Sequence, residues 1–261
     1  MSLVELAEAP SLHARLAPGE ELVVTDAYVL FLGRDDHPGA TVVQRLRLAP
    51  ESVSDTVEEV REAVRRRGRS NLAWEVSDAA TPSGLAERLL RLGAVPAGPP
   101  SEPRATLMAL RAPPAPGPPG VEVMRVETVE AFHLYVSITH EVFGLEDRLP
   151  AELERIEREG ARDLADQGFV RYVASIGGRA VAAGSATFAA AGVVLHAGCT
   201  RVEARGRGAY RALVAARWEE AARRGTPAAV TRAGAMSAPL LRRLGFAEIG
   251  ALQLLHDPLH R

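Results

Sequence analysis

The sequence has no lysine: all 31 of its basic residues are arginine. Schiff-base and lysine-nucleophile chemistry are excluded by this, as is a Walker-type phosphate loop, whose lysine is obligatory. Cys199 is the only cysteine. One thiol makes neither an internal disulfide nor a cysteine-based zinc site, and the expected compartment is a reducing, cytoplasmic one. Aromatic residues make up 5% of the chain, and Trp74 and Trp218 read as core. No apolar run approaches the roughly 20 residues of a membrane span. The opening Met1-Ser2-Leu3-Val4-Glu5 lacks the basic-then-apolar pattern of a leader. With a net charge of −2, no global basic field recruits nucleic acid or an anionic membrane.

What remains is rich in Arg, Ala, Gly and Pro, the coding bias of a GC-rich bacterial genome. The 261 residues, 47% hydrophobic, suffice for one large core or two small ones. One stretch, 112–120, reads Ala-Pro-Pro-Ala-Pro-Gly-Pro-Pro-Gly. It can form neither a helix nor a sheet ladder, so it predicts a stiff connector between 1–111 and 121–261.

In the second half, a strand is expected over 121–126, then a helix capped by Thr128 with Val129, Phe132, Val136 and Phe143 on one face. A charged, solvated helix follows over 150–160. Strands over 169–175 and 180–188 flank Gly177-Gly178, a strong hairpin signal. A fourth strand, 193–200, leads to a helix after Gly208 that buries Tyr210, Leu213, Val214, Trp218 and Ala221 and stops at Gly225. A strand near 228–231, a short helix capped by Ser237 with Pro239 in its first turn, and a last strand over 248–255 complete the order.

The first half repeats this order in shorter form. Strands are expected over 27–32, 40–48, 72–76 and 105–110, with helices over 54–67 and 82–92 and a turn at Asp35-Asp36-His37-Pro38-Gly39. Arg66-Arg67-Gly68 echoes Arg223-Arg224-Gly225, and Leu89-Leu90-Arg91-Leu92-Gly93 echoes Leu241-Arg242-Arg243-Leu244-Gly245. The pattern suggests an internal duplication.

The informative segment is Thr200-Arg201-Val202-Glu203-Ala204-Arg205-Gly206-Arg207-Gly208-Ala209-Tyr210, between an expected strand and an expected helix. Gly206 and Gly208 permit tight turns that leave backbone N–H groups uncovered, and a helix N-terminus adds its dipole. Arg205 and Arg207 add charge. Together they form an anion cradle suited to a pyrophosphate. Arg-x-x-Gly also occurs at Arg65–Gly68 and Arg242–Gly245, but only this copy follows a strand and opens a helix. The first half has Ala49-Pro50-Glu51-Ser52-Val53-Ser54-Asp55 at the corresponding place, which attracts no anion.

This segment, with Leu240-Leu241-Arg242-Arg243-Leu244-Gly245-Phe246 following at the expected distance, resembles the acetyl-CoA-binding core of the GNAT superfamily. The resemblance covers 121 to the C-terminus and is specific over 193–246. It implies an α/β mixed sheet in a tandem GNAT-like acyl-CoA N-acyltransferase fold, with 1–111 a degenerate repeat lacking the pyrophosphate loop and 121–261 the acetyltransferase domain. It implies acetyl-CoA as donor, held by Cys199, Thr200, Val202, Arg205, Gly206, Arg207, Gly208, Ala209 and Tyr210. The fourth strand would splay from its neighbour, and the backbone around Cys199 to Val202 would bind the pantetheine arm. The acceptor would be a primary amine of a small molecule or peptide, attacking directly. Relatives often pair, so a homodimer is possible. Tyr210 departs from the family's Gly or Ala, and its ring must point away from the phosphates.

The candidate base is His196, four residues before Thr200 on the same strand and expected to share a face with Gly198 and Thr200. Glu203 is a weaker candidate; His140 and Glu141 are candidates for the acceptor pocket. Cys199 is more readily a small buried hydrophobe than an acyl carrier. The family's usual acid, a Tyr on the short helix, is replaced by Leu241, and Tyr210 is expected at the pyrophosphate end, too far away to substitute. The competing reading is a non-catalytic acyl-CoA sensor or interaction module, which Leu241 favours and His196 disfavours. A Rossmann dinucleotide site would need its glycines after the first strand.

Overall fold

The computed structural model describes residues 2–37, 39–99 and 101–259. The chain opens with a helix, α1 (Leu3–Glu8), started by a capping box between Ser2 and Glu5. After a 3-10 turn over Pro10–His13, β1 (Glu21–Val24), β2 (Val29–Leu32) and β3 (Thr41–Gln44) form a meander. Next come α2 (Val53–Arg65), β4 (Asn71–Ser77), α3 (Leu85–Arg91), the two-residue β5 (Val95–Pro96) and β6 (Arg104–Leu110). The second half runs β7 (Val121–Arg125), α4 (Val129–Phe143), α5 (Leu149–Leu164), β8 (Phe169–Ile176), β9 (Arg179–Ala189) and β10 (Gly192–Thr200). It ends with α6 (Ala209–Arg223), β11 (Ala229–Ala233), α7 (Ala238–Arg243) and β12 (Ala247–Pro258).

Local chemistry accounts for most of these elements. The Thr128 hydroxyl accepts from the Ala131 amide and starts α4, and Gly177 and Gly178 turn the β8–β9 hairpin with positive φ. α2 buries Val53, Val57, Val60 and Val64, the stripe of a helix lying on a sheet. Ser237 does not act as expected: its side chain caps nothing in α7, and its backbone is already helical.

The strands form one mixed sheet in the order β1-β2-β3-β4-β12-β6-β11-β10-β9-β8-β7, with β5 beside β12. The last strands of the two halves are exchanged. β6 pairs antiparallel with β11 of the second half, and β12 pairs antiparallel with β4 of the first. β6 and β12 also pair with each other at the centre. Asp257 near the end of β12 anchors the exchange: its carboxylate accepts from Trp74 Nε1 and Arg61 Nε, both at 2.9 Å.

The two halves share backbone features. α3 and α7 end in the same pattern: Leu92 and Leu244 donate to the third and fourth carbonyls before them, and Gly93 and Gly245 follow with positive φ. β3 and β10 each run parallel to the next strand only briefly, through Val42–Val43 and Val193–Leu195. In each the parallel pairing is followed, two residues on, by a non-glycine residue of left-handed backbone: Arg45 (φ +51°) and Ala197 (φ +46°). The halves differ at the next step, because α2 starts from Ser52 with no glycine turn before it.

The Pro-rich segment packs rather than merely connecting. A Cβ on Gly117 would meet Cβ of Ala212 on α6 at 2.7 Å, so the segment lies against that helix. Among the described residues, no helix is long and apolar enough to cross a membrane.

Candidate functional site

The chain leaves β10 through a 3-10 turn, Val202–Ala204, and reaches the N-terminus of α6. Gly206 (φ +77°) and Gly208 (φ +84°) adopt backbone that strains any side chain. A Cβ on Gly208 would also lie 2.5 Å from Cγ of Pro118. No side chain caps α6, so the amides of Ala209, Tyr210 and Arg211 have no carbonyl in a preceding turn to receive them. Arg205, Arg207 and Arg211 surround this end. Arg205 Nε donates to the Thr200 carbonyl at 3.3 Å, while Arg211 Nε is buried without a partner. Among the described residues, none of the three forms an ion pair. Uncovered amides, a helix dipole and unpaired guanidiniums converge on one spot, the electrostatics an anion requires.

That spot opens into a groove of about 660 Å³ running back along β10. Gly198, Cys199, Thr200 and residues 204–211 line it, with Pro118, Phe143, Met236 and Leu240 as walls. The expected residues Cys199, Thr200, Arg205, Gly206, Arg207, Gly208, Ala209 and Tyr210 therefore meet in one place. Val202 does not: the 3-10 turn carries it outward, 71% exposed and away from the groove. Arg211 and Pro118, absent from the sequence-based set, belong to it. Arg211 was legible as the third residue after Gly208; Pro118 was not.

β10 and β11 part company after Leu195 and Thr231, leaving a slot between them. Here β10 bulges: His196 opposes Ser185 and Cys199 opposes Ala183, so three steps on β10 match two on β9. Ala197 absorbs the extra residue with its positive φ. The bulge overturns the expected alternation. His196 and Cys199 face the α4 side, where Cys199 packs with Ala183, whereas Thr200 opposes Ala182 on the α6 side.

The Tyr210 ring lies against the bulge: a Cβ on Gly198 would stand 2.7 Å from its Cε2 and 3.4 Å from its hydroxyl. It divides the groove from an inner recess of about 310 Å³ lined by His196, Leu195, Arg217, Thr231, Arg232 and Leu241, among others. Burial raises the Tyr210 pKa above the usual phenol value, so it stays protonated.

In the recess, His196 Nε2 lies 3.0 Å from Thr187 Oγ1, and Phe169 lies near its ring. Desolvation, with Arg232 and Arg217 nearby, lowers its pKa to about 4. The imidazole is therefore uncharged at neutral pH and weakly basic. Cys199 is buried and its thiol is pushed up to about 11 by burial, which removes it as a nucleophile at neutral pH. Glu203 is engaged by Arg179 at 3.0 Å and Glu141 by Arg201 at 2.9 Å. His140 Nδ1 contacts the Val136 carbonyl of its own helix at 2.9 Å. Instead of His140 and Glu141, it is Phe143 of α4 that borders both cavities. Among the described residues, no cluster of His, Cys, Asp or Glu could hold a metal ion.

Solved structures share this architecture. A GCN5-related N-acetyltransferase from Kribbella flavida superposes with a TM-score of 0.70 at 20% identity, over 92% of this chain and 90% of that one. A tandem GNAT protein from the clavulanic acid biosynthesis pathway gives 0.62 at 18% identity, over 99% and 94% of the two chains. A GCN5-related N-acetyltransferase from Sphaerobacter thermophilus gives 0.63 at 18%, over 93% and 84%. No protein-family model matches the sequence, and no curated protein matches it. The likeness lies in the fold, across nearly the whole length.

Proposed function

We propose that this chain, built on a tandem GNAT fold, is an N-acetyltransferase that moves an acetyl group from acetyl-CoA to a primary amine of a small molecule or peptide. The carrying observation is the α6 N-terminus, where unpaired Arg205, Arg207 and Arg211 and free amides border a groove continuing along β10. Those groups would hold the pyrophosphate of coenzyme A, and backbone along Gly198–Thr200 would receive the pantetheine arm. When bound, the thioester supplies an activated acetyl group. Among the described residues, the first half has no comparable cradle, and it acts as the other end of the shared sheet.

Two side chains on the recess suit the chemistry. The Tyr210 hydroxyl, held protonated by burial, is a proton donor beside Gly198 and takes the part for which Leu241 has no group. His196 is uncharged and hydrogen-bonded by Thr187. At a pKa of about 4 it orients an amine and accepts a hydrogen bond from it, but is too weak to strip a free ammonium ion. The amine therefore enters deprotonated, and turnover should rise through the acceptor's own pKa.

The test is release of free thiol from acetyl-CoA across a panel of primary amines. Turnover with at least one amine supports transfer. Binding of acetyl-CoA without turnover on any amine supports instead an acyl-CoA sensor, a reading favoured by the weak basicity of His196 and by the aliphatic Leu241.

A further inference from the structure

The recess behind Tyr210 holds a guanidinium for which the described residues provide no counter-charge. Arg217 stands two turns along α6 from Tyr210 and is 1% exposed. Its Nε donates to the Leu213 carbonyl at 2.9 Å, and its Nη1 to the carbonyls of Ser185 at 3.0 Å and His196 at 3.3 Å. Its Nη2 is shut off from solvent and has no partner. Among the described residues, no carboxylate forms an ion pair with it, and the nearby Tyr210, Tyr135, Tyr172 and Cys199 are all uncharged at neutral pH.

The slot is built for this side chain. Gly184 on β9 leaves the space it occupies, since a Cβ there would lie 2.9 Å from Nη1. The other cation lining the recess, Arg232, is spent: it donates to Glu75 at 2.7 Å and to the carbonyls of Ala7 and Glu8 at 2.9 and 2.7 Å. A buried guanidinium keeps its charge, and leaving it unpaired is among the most costly arrangements a fold can hold.

We propose that Arg217 binds a carboxylate carried by the substrate, either at the far end of the acyl chain or on the amine acceptor. The inference rests on the acyltransferase reading, and the geometry ties it to that site. Groove and recess share Phe143, Gly198, Tyr210 and Ser237, so a group passing Tyr210 from the groove enters the space that Arg217 lines. A recess of about 310 Å³ takes a small acid and not a long chain. A guanidinium with two free N–H groups on one nitrogen is well matched to a carboxylate oxygen, which meets Nη2 when the side chain turns from Gly184 toward the recess.

The test is isothermal titration of the full chain, comparing wild type, Arg217→Lys and Arg217→Met. In the acyl arm the ligands are succinyl-CoA and butyryl-CoA, which differ in the terminal carboxylate, with acetyl-CoA as control. In the acceptor arm the chain saturated with coenzyme A is titrated with glycine, alanine and glutamate and with their α-amides. Thermal melting establishes that each variant is folded. The expected result is a preference of about tenfold for the carboxylate in one arm, kept in part by Arg217→Lys and lost in Arg217→Met. The arm that responds identifies the source. Equal affinities in both arms with normal acetyl-CoA binding, or a preference that survives Arg217→Met, would overturn the proposal. A folded wild type that fails to bind acetyl-CoA would overturn the acyltransferase reading itself, and this inference with it.

Discussion

The ring of Tyr210 fills the place a side chain would take on Gly198, with Cε2 2.7 Å from the position of the missing Cβ. A helix residue and a strand bulge thereby make one partition, with the groove on one side and His196 and Arg217 on the other. Gly198→Ala should force the ring aside and cost about 1–3 kcal/mol. In a Tyr210→Ala background the same change should be close to neutral. Urea denaturation of the four proteins measures the coupling; additive effects would show that the ring does not lean on the strand.

Tyr210→Phe keeps the ring and removes the proton. Affinity for acetyl-CoA should stay within about twofold, while turnover falls by about a hundredfold, the usual scale for a lost general acid. Titration and thiol-release kinetics on the same variant separate the two quantities. An unchanged turnover would remove Tyr210 from the chemistry.

His196 should make the fold acid-sensitive. Its pKa is lowered to about 4 in the native state, against about 6.5 when unfolded. The unfolded chain therefore takes up the extra proton between these values. Stability is insensitive to this group above about pH 6.5 and falls as pH drops toward 4, by about 3 kcal/mol in all. His196→Gln should flatten that part of the profile. The check is the difference between wild type and variant in urea denaturation at pH 4.5 and at pH 7. A His196 that titrates near 6.5 would give no difference.

The exchange of β6 and β12 should make the halves unfold together. Trp74 belongs to the first half and Trp218 to the second, so Trp218→Phe and Trp74→Phe give single-tryptophan reporters of each. Both should report one transition in urea. Asp257→Ala, which strips Arg61 and the Trp74 indole of their acceptor, should lower that shared midpoint at a cost of about 3 kcal/mol. Two separated transitions would mean that the shared sheet does not couple the halves.

Much of the fold was legible because its signals are local. Gly206 and Gly208 between a strand and an apolar-faced helix marked the cradle, and Gly93 and Gly245 marked matching helix ends. The features that escaped the sequence are tertiary or too short. α1 offers six residues, and its Ser2–Glu5 box was its only strong sign. The bulge at Ala197 uses neither Gly nor Asn, so nothing announced that His196 and Thr200 would face opposite ways. The direction of the Tyr210 ring depends on Gly198, twelve residues away and on another element. Strand exchange joins Trp74 to Leu255, a pairing no local pattern encodes. No sequence pattern singles out Arg217 on an arginine-rich helix; the fold puts its guanidinium against Gly184.

The most direct test of the account is isothermal titration of acetyl-CoA into the wild type and into an Arg207→Glu, Arg211→Glu double variant. These positions leave the strained turn intact, whereas a side chain at Gly208 would strike Pro118. The wild type should bind with micromolar affinity, and the folded double variant should lose at least about thirtyfold. A folded wild type that does not bind acetyl-CoA, or a double variant that binds it equally well, would contradict the claim that the N-terminus of α6 is a coenzyme A site.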